Sequence, residues 1–231
     1  MQFLFEFQLP SVASPLCCLT GMGCFWEPAE SLLKQPGVLA TAVGYTGAPP
    51  NKPPPTYDSV CFGKEWVEAV KVAYDENECS YEELLDHFFR LQKPGYGRQY
   101  ASVVFVDGDT EKTTAEKWKN ENLRLGNNNR SYEIVEIEPS SSFYKAEEYH
   151  QRYWEKQRLR ALIGVALIAG ESGAYDSFLD GLGIAQLFGL SLDSLFGGAF
   201  LAGAAWMLLE RALARETVKM RPGDLTATIE K

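Results

Sequence analysis

The chain has 231 residues, with 22 Lys and Arg against 31 Asp and Glu and a formal net charge of −9. With 45% apolar residues it can bury the core of a domain of about 150 residues plus an appendage, which excludes disorder as its main state. The acidic balance speaks against binding a nucleic-acid backbone, and five cysteines, an odd number, close no full disulfide framework and suit a reducing intracellular compartment.

Met1 to Leu9 alternates Phe3, Phe5, Phe7 and Leu9 with more polar neighbours, a strand-like period of two. With no Lys or Arg before Lys34, it reads as a leader or edge strand rather than a targeting signal. Leu16 to Thr20 is apolar and runs into Gly21-Met22-Gly23, a turn. Glu27-Pro28-Ala29-Glu30 opens a helix that stops at Pro36-Gly37, because Pro suits the first helical turn and acids suit the positive end of the dipole. Val38 to Tyr45 is a strand, Gly47 to Pro55 a Pro-rich loop, and Glu65 to Tyr74 another strand. Ser80 and Glu83 form a capping box that opens a helix to Gln92. Tyr100 to Val106 is β-rich, Thr110 to Leu125 a charged helix, Tyr132 to Glu138 a strand, and Lys145 to Arg158 a closing helix. No Gly-x-Gly-x-x-Gly or phosphate loop accompanies this alternation, which favours α+β over a nucleotide-binding doubly wound sheet.

Composition shifts near residue 160. Residues 161–209 carry four acids (Glu171, Asp176, Asp180 and Asp193) and no base among Ala, Leu, Gly and Phe runs. The expected division is a leader or edge strand at 1–15, a catalytic domain at 16–158 and a hydrophobic helical region at 159–231. Leu195 to Leu209 is fifteen apolar residues long, short of the roughly 18–20 of a membrane span. Arg211, Arg215, Lys219 and Arg221 follow it, as flanking positive charge would, and Ala199 with Gly203 suits close helix packing. Membrane association through residues 161–209 and a soluble helical appendage both stay open.

The segment that carries chemistry is Gly21-Met22-Gly23-Cys24-Phe25-Trp26-Glu27. Cys24 follows a glycine and immediately precedes a helix N-terminus, whose exposed N–H groups stabilise a thiolate and lower its pKa. Phe25 and Trp26 offer an aromatic surface for a small apolar group such as a methyl. A thiol packed in a strand-to-helix turn is the competing reading. His87 and His150 lie on expected helices without partners at metal spacing.

Gly23-Cys24-Phe25-Trp26 resembles the signature of the type A peptide methionine sulfoxide reductases. Further matches follow in order: Val43-Gly44-Tyr45-Thr46-Gly47, Pro55-Thr56-Tyr57-Asp58-Ser59-Val60-Cys61, Glu68-Ala69-Val70, Gln99-Tyr100 and Phe143-Tyr144-Lys145-Ala146-Glu147-Glu148-Tyr149-His150-Gln151. The resemblance covers residues 16–157 or so. It implies a two-layer α+β fold around a ferredoxin-like βαβ core, here followed by a hydrophobic α-helical appendage. It also implies thiol-dependent reduction of methionine (S)-sulfoxide, free or in oxidised proteins, since repair uses one enzyme per epimer.

By the same resemblance Cys24 is the nucleophile that becomes a sulfenic acid, Glu68 the proton donor, Tyr57 and Tyr100 the hydroxyls on the sulfoxide oxygen, and Phe25 with Trp26 the methyl pocket. No cofactor or metal is implied. Recycling falls to Cys61 or to an external thiol such as thioredoxin, glutaredoxin or glutathione. The chain departs from the pattern in two places. The family's Gly-His-Ala-Glu-Ala-Val reads Trp66-Val67-Glu68-Ala69-Val70, and an aspartate-bearing loop is replaced by Pro94-Gly95-Tyr96-Gly97-Arg98, where no residue, Tyr96 and Arg98 included, is assigned the aspartate's role. These departures keep open a weakened member that binds oxidised methionine, or a membrane-tethered scaffold.

Overall fold

The computed structural model describes residues 16–124, 134–175, 178, 191–221 and 224–225. The strand expected at Met1–Leu9 therefore lies outside the described residues. The apolar Leu-Cys-Cys-Leu run continues through Gly21 and Met22 as β1 (Leu16–Met22), so only Gly23 of the expected turn lies beyond the strand, and α1 (Trp26–Leu33) starts four residues later. β2 (Val38–Thr46), β3 (Val67–Tyr74) and β4 (Ser102–Val106) occupy the expected β-branched stretches.

These four strands stand in the order β4-β1-β3-β2, and each neighbouring pair is antiparallel. Between β3 and β4 comes α3 (Tyr81–Leu91), so the two βαβ units, β1–α1–β2 and β3–α3–β4, each straddle a strand of the other. That interleaving is the ferredoxin-like core. β5 (Glu136–Pro139) adds to β4 in parallel, and β6 (Tyr144–Lys145) with β7 (Val218–Lys219) extends the other edge to make seven strands.

β3 is central, and all its residues but Lys71 are buried. A strand covered on both faces loses the polar alternation of a half-exposed one, which makes the burial of Glu68 unusual. Val67, Ala69 and Ala73 share a core face with Leu19, Ala42, Val103, Phe105, Phe143 and Leu225. By the period of two, Glu68, Val70 and Val72 point to the opposite face.

Capping decides the helices. Ser80 Oγ accepts from the Glu83 N–H at 3.2 Å and Glu83 Oε2 accepts from the Ser80 N–H at 2.7 Å, the expected box of α3. α2 (Tyr57–Phe62) was not expected from the sequence: Thr56 and Ser59 form the reciprocal pair there, with serine in place of the usual Glu or Gln. α4 (Asp109–Arg124) matches its charged pattern, and its Trp118 ring stacks on Phe89 of α3 at 3.8 Å. No single helix covers Lys145–Arg158. Tyr144–Lys145 pairs with β2, Glu148–His150 forms a 3₁₀ turn, and Arg152 in the left-handed region (φ 49°) separates that turn from α5 (Tyr153–Glu171).

The chain divides into two units. One ends at Lys145 and resumes at Thr217, so that β7, Met220 and Leu225 belong with the sheet; the other is Ala146–Glu216. The compositional shift near residue 160 falls inside α5, a continuous helix. Within the second unit α5 runs antiparallel to α6 (Leu192–Leu213), tied by an Arg160–Glu210 ion pair and by the Phe196 ring closing on Gly170. Ala199 and Gly203, the expected small-residue seam, are exposed, and the close approach uses Gly170 instead. Ser194–Leu213 is the one helix among the described residues long and apolar enough to cross a membrane.

Candidate active site

The site is assembled where β1 hands over to α1. Gly23 has φ +84°, and a Cβ there would stand 2.1 Å from the Lys93 carbonyl oxygen, while the Lys93 N–H donates to Met22 O at 3.0 Å. Only glycine allows both the left-handed backbone and this contact. The chain then turns sharply, leaving Cys24 exposed and Phe25 buried as the N-terminal cap of α1. The Phe25 side chain has no acceptor, so it does not compete for the Trp26 N–H that acts on the Cys24 sulfur. The Phe25 ring packs 5.9 Å from the ring of Tyr45, which is wholly buried in β2; Trp26 stays half-buried.

Glu68 lies opposite Tyr45 in the β2–β3 register and is 4% exposed. Both of its oxygens are occupied by N–H donors. The Phe25 N–H reaches Oε2 at 3.3 Å, and the Gln99 side-chain amide reaches Oε1 at 2.5 Å. The same amide nitrogen lies 3.8 Å from the Cys61 sulfur, on the last turn of α2. Tyr100, next in the 3₁₀ turn, is half-buried, and Tyr57, first residue of α2, is exposed.

Burial pushes the Glu68 carboxyl up to about 7, against the pull of the Gln99 and Phe25 donors. Burial also raises the Tyr100 phenol, and negative charge on Glu68, Cys24 and Cys61 adds to the effect, so one hydroxyl feels the acid and both sulfurs. The expected lowering of the Cys24 thiol is overturned. Partial burial raises it most, the Trp26 N–H at the helix mouth opposes this, and the charges of Glu68 and Glu27 raise it further. The helix end acts in the anticipated direction, but it is outweighed by desolvation, to which the nearby Glu27 and the Glu68 carboxylate, brought to the sulfur only by the fold, both add.

The structure thus brings Cys24, Glu68, Tyr100 and Cys61 around one locus. Gln99 also lies here, a residue to which the sequence assigns no role; its position directly before Tyr100 is the signal that points to it. The Arg98 guanidinium pairs with Glu136 at 2.9 Å and Glu138 at 2.7 Å. Tyr96 is fully exposed. Cys24, Cys61 and Cys79 carry free thiols, and Cys18 and Cys79 are buried. Among the described residues no three His, Cys, Asp or Glu side chains gather as a metal site.

Comparison with known proteins bears on the whole arrangement. Residues 17–169 match the family model described as peptide methionine sulfoxide reductase. The peptide methionine sulfoxide reductase MsrA of Methanosarcina acetivorans is 40% identical over 144 residues, covering 58% of this chain and 75% of the relative. The MsrA of Pseudomonas aeruginosa PAO1 is 39% identical over 151 residues, covering 60% and 68%. Among solved structures, methionine sulfoxide reductase A of Corynebacterium diphtheriae superposes with a TM-score of 0.57 at 25% identity, covering 65% of this chain and 79% of that one. Reduced Mxr1 of Saccharomyces cerevisiae gives 0.51 at 28% identity, covering 62% and 86%. Fold, matched span and sequence identity agree, and the chain belongs to the type A peptide methionine sulfoxide reductase family.

Proposed function

We propose that this chain reduces methionine (S)-sulfoxide, free or in oxidised proteins, with Cys24 as nucleophile and Glu68 as acid. One observation carries the reading: an exposed thiol is followed by a residue whose N–H holds a buried carboxyl that titrates near neutrality. Reduction of a sulfoxide requires a nucleophile for sulfur and a proton for oxygen in one place, and an acid with a pKa near the working pH supplies the proton best.

Cys24 sulfur takes the sulfoxide oxygen as hydroxyl, the S–O bond of the substrate is lost, and methionine leaves with Cys24 as sulfenic acid. The balance needs one hydrogen: Glu68 donates a proton to the oxygen and recovers one from the Cys24 thiol as it ionises, so the thiol's hydrogen ends on the sulfenic acid. Tyr57 and Tyr100 donate hydroxyl hydrogen bonds to the oxygen as charge builds on it, as oxyanion donors do. Trp26 supplies open aromatic surface beside the sulfur, with Phe25 behind it in the core.

Cys61 is the internal thiol for recycling. It attacks the sulfenic acid, water leaves, and a Cys24–Cys61 disulfide forms; two equivalents of an external thiol, of the thioredoxin, glutaredoxin or glutathione kind, then reduce it. Its place beside Gln99, within the electrostatic reach of Tyr100, supports this. Such a cycle belongs in a reducing compartment.

The test uses the full chain, separate sulfoxide epimers and dithiothreitol. The wild type should convert the S epimer alone, and Cys24→Ser should form no methionine. Activity retained in Cys24→Ser would reject the reading.

A further inference from the structure

The two groups that hydrogen-bond the Glu68 carboxyl are both N–H donors. Phe25 N–H occupies one carboxyl oxygen and the Gln99 amide N–H₂ the other, and neither group can accept a proton. A protonated Glu68 therefore has no acceptor in these two partners, and its hydrogen is left for a group on the Cys24 side. Were the Gln99 amide turned over, its oxygen would face the carboxyl and hold that hydrogen back. The orientation of one side-chain amide thus decides where the proton is delivered.

The surroundings hold that amide. Its nitrogen reaches Cys61 Sγ as well as Glu68 Oε1, so both N–H vectors are used. Its backbone belongs to the 3₁₀ turn Arg98–Tyr100, closed by Tyr100 N–H on Gly97 O and Ala101 N–H on Arg98 O, and Arg98 itself is clamped by Glu136 and Glu138.

We propose that Gln99 is a positioning residue that, braced by Cys61 and the Arg98 turn, aims the Glu68 proton at the substrate bound over Cys24. The proposal rests on Glu68 as the acid. The titratable groups around that carboxyl are Cys24 at the mouth of α1, Tyr100 in the turn, Cys61 beyond the amide, and Tyr45 opposite on β2.

The experiment is the single-turnover rate with the S epimer, followed from about pH 5.5 to 9.5 in the full chain. In the wild type the rate should fall on the alkaline side as Glu68 ionises, and Glu68→Gln, as the control, should abolish that limb. Removing a donor from a carboxylate raises its pKa, so Gln99→Leu should move the limb up by about one pH unit and lower the plateau roughly tenfold. Gln99→Glu, which keeps the shape but substitutes an acceptor, should move it at least as far and serves if the leucine variant does not fold. A limb that stays in place in a folded Gln99 variant overturns the positioning role while leaving the acid intact. A limb that survives Glu68→Gln overturns the acid role, and this inference with it.

Discussion

The backbone N–H of Phe25 donates to Glu68 Oε2 at 3.3 Å across 43 positions of sequence. One bond thereby ties the mouth of α1, where Cys24 is exposed, to a carboxyl buried in the central strand. The acid and the nucleophile share a backbone link, so a movement of the turn moves both.

That burial has a stability cost with a definite sign. The carboxyl titrates at about 7 in the fold against an ordinary 4.5, so folding is penalised once the group must be charged. The penalty is absent below about pH 4.5, grows between 4.5 and 7, and is full above 7. Glu68→Gln should therefore be more favourable to folding at pH 8 than at pH 4.5, by roughly 1–3 kcal/mol, on top of a pH-independent cost of setting its N–H₂ against a donor, while single-turnover reduction slows about 10²-fold or more. Thermal melts at the two pH values, beside the rate, check it; equal shifts at both would remove burial of charge as the cause.

Cys61→Ser should leave one methionine per chain in the first turnover and slow every later one. Quench experiments with substoichiometric and excess substrate separate the phases. A normal steady rate with an external dithiol would assign recycling wholly to that thiol.

Gly23→Ala places a Cβ against the Lys93 carbonyl in a backbone region that non-glycine residues reach at about 1–2 kcal/mol before any clash. The expected outcome is a loss of 3 kcal/mol or more, on the order of the largest single-residue effects, and activity reduced beyond what the unfolded fraction explains. Urea unfolding combined with active-site titration of Cys24 measures both. Unchanged stability would mean that the β1–α1 turn can relax.

Leu225 is 5% exposed in the same cluster as Val67 and Phe105, although it lies far beyond the stretch that carries the motifs. Leu225→Ala should cost about 2–4 kcal/mol by cavity formation. Denaturation of the full chain tests this, and a cost below about 0.5 kcal/mol, the range of surface changes, would place Leu225 outside the core in solution.

Local signals were enough for much of this protein. Ser80 with Glu83 marked the start of α3, period-two and β-branched runs marked β2, β3 and β4, and Gly23-Cys24-Phe25-Trp26 marked the reactive turn, because capping, strand preference and tight turns act over a few residues. Tertiary structure alone decided that Phe25, Gln99 and Cys61 converge on Glu68, that the Cys24 thiol is raised rather than lowered, that Arg98 is occupied by Glu136 and Glu138, and that the chain returns to the sheet at Val218–Lys219. Desolvation and charge pairing depend on which groups lie within a few ångströms, and chain order does not specify that until the strands have chosen their neighbours.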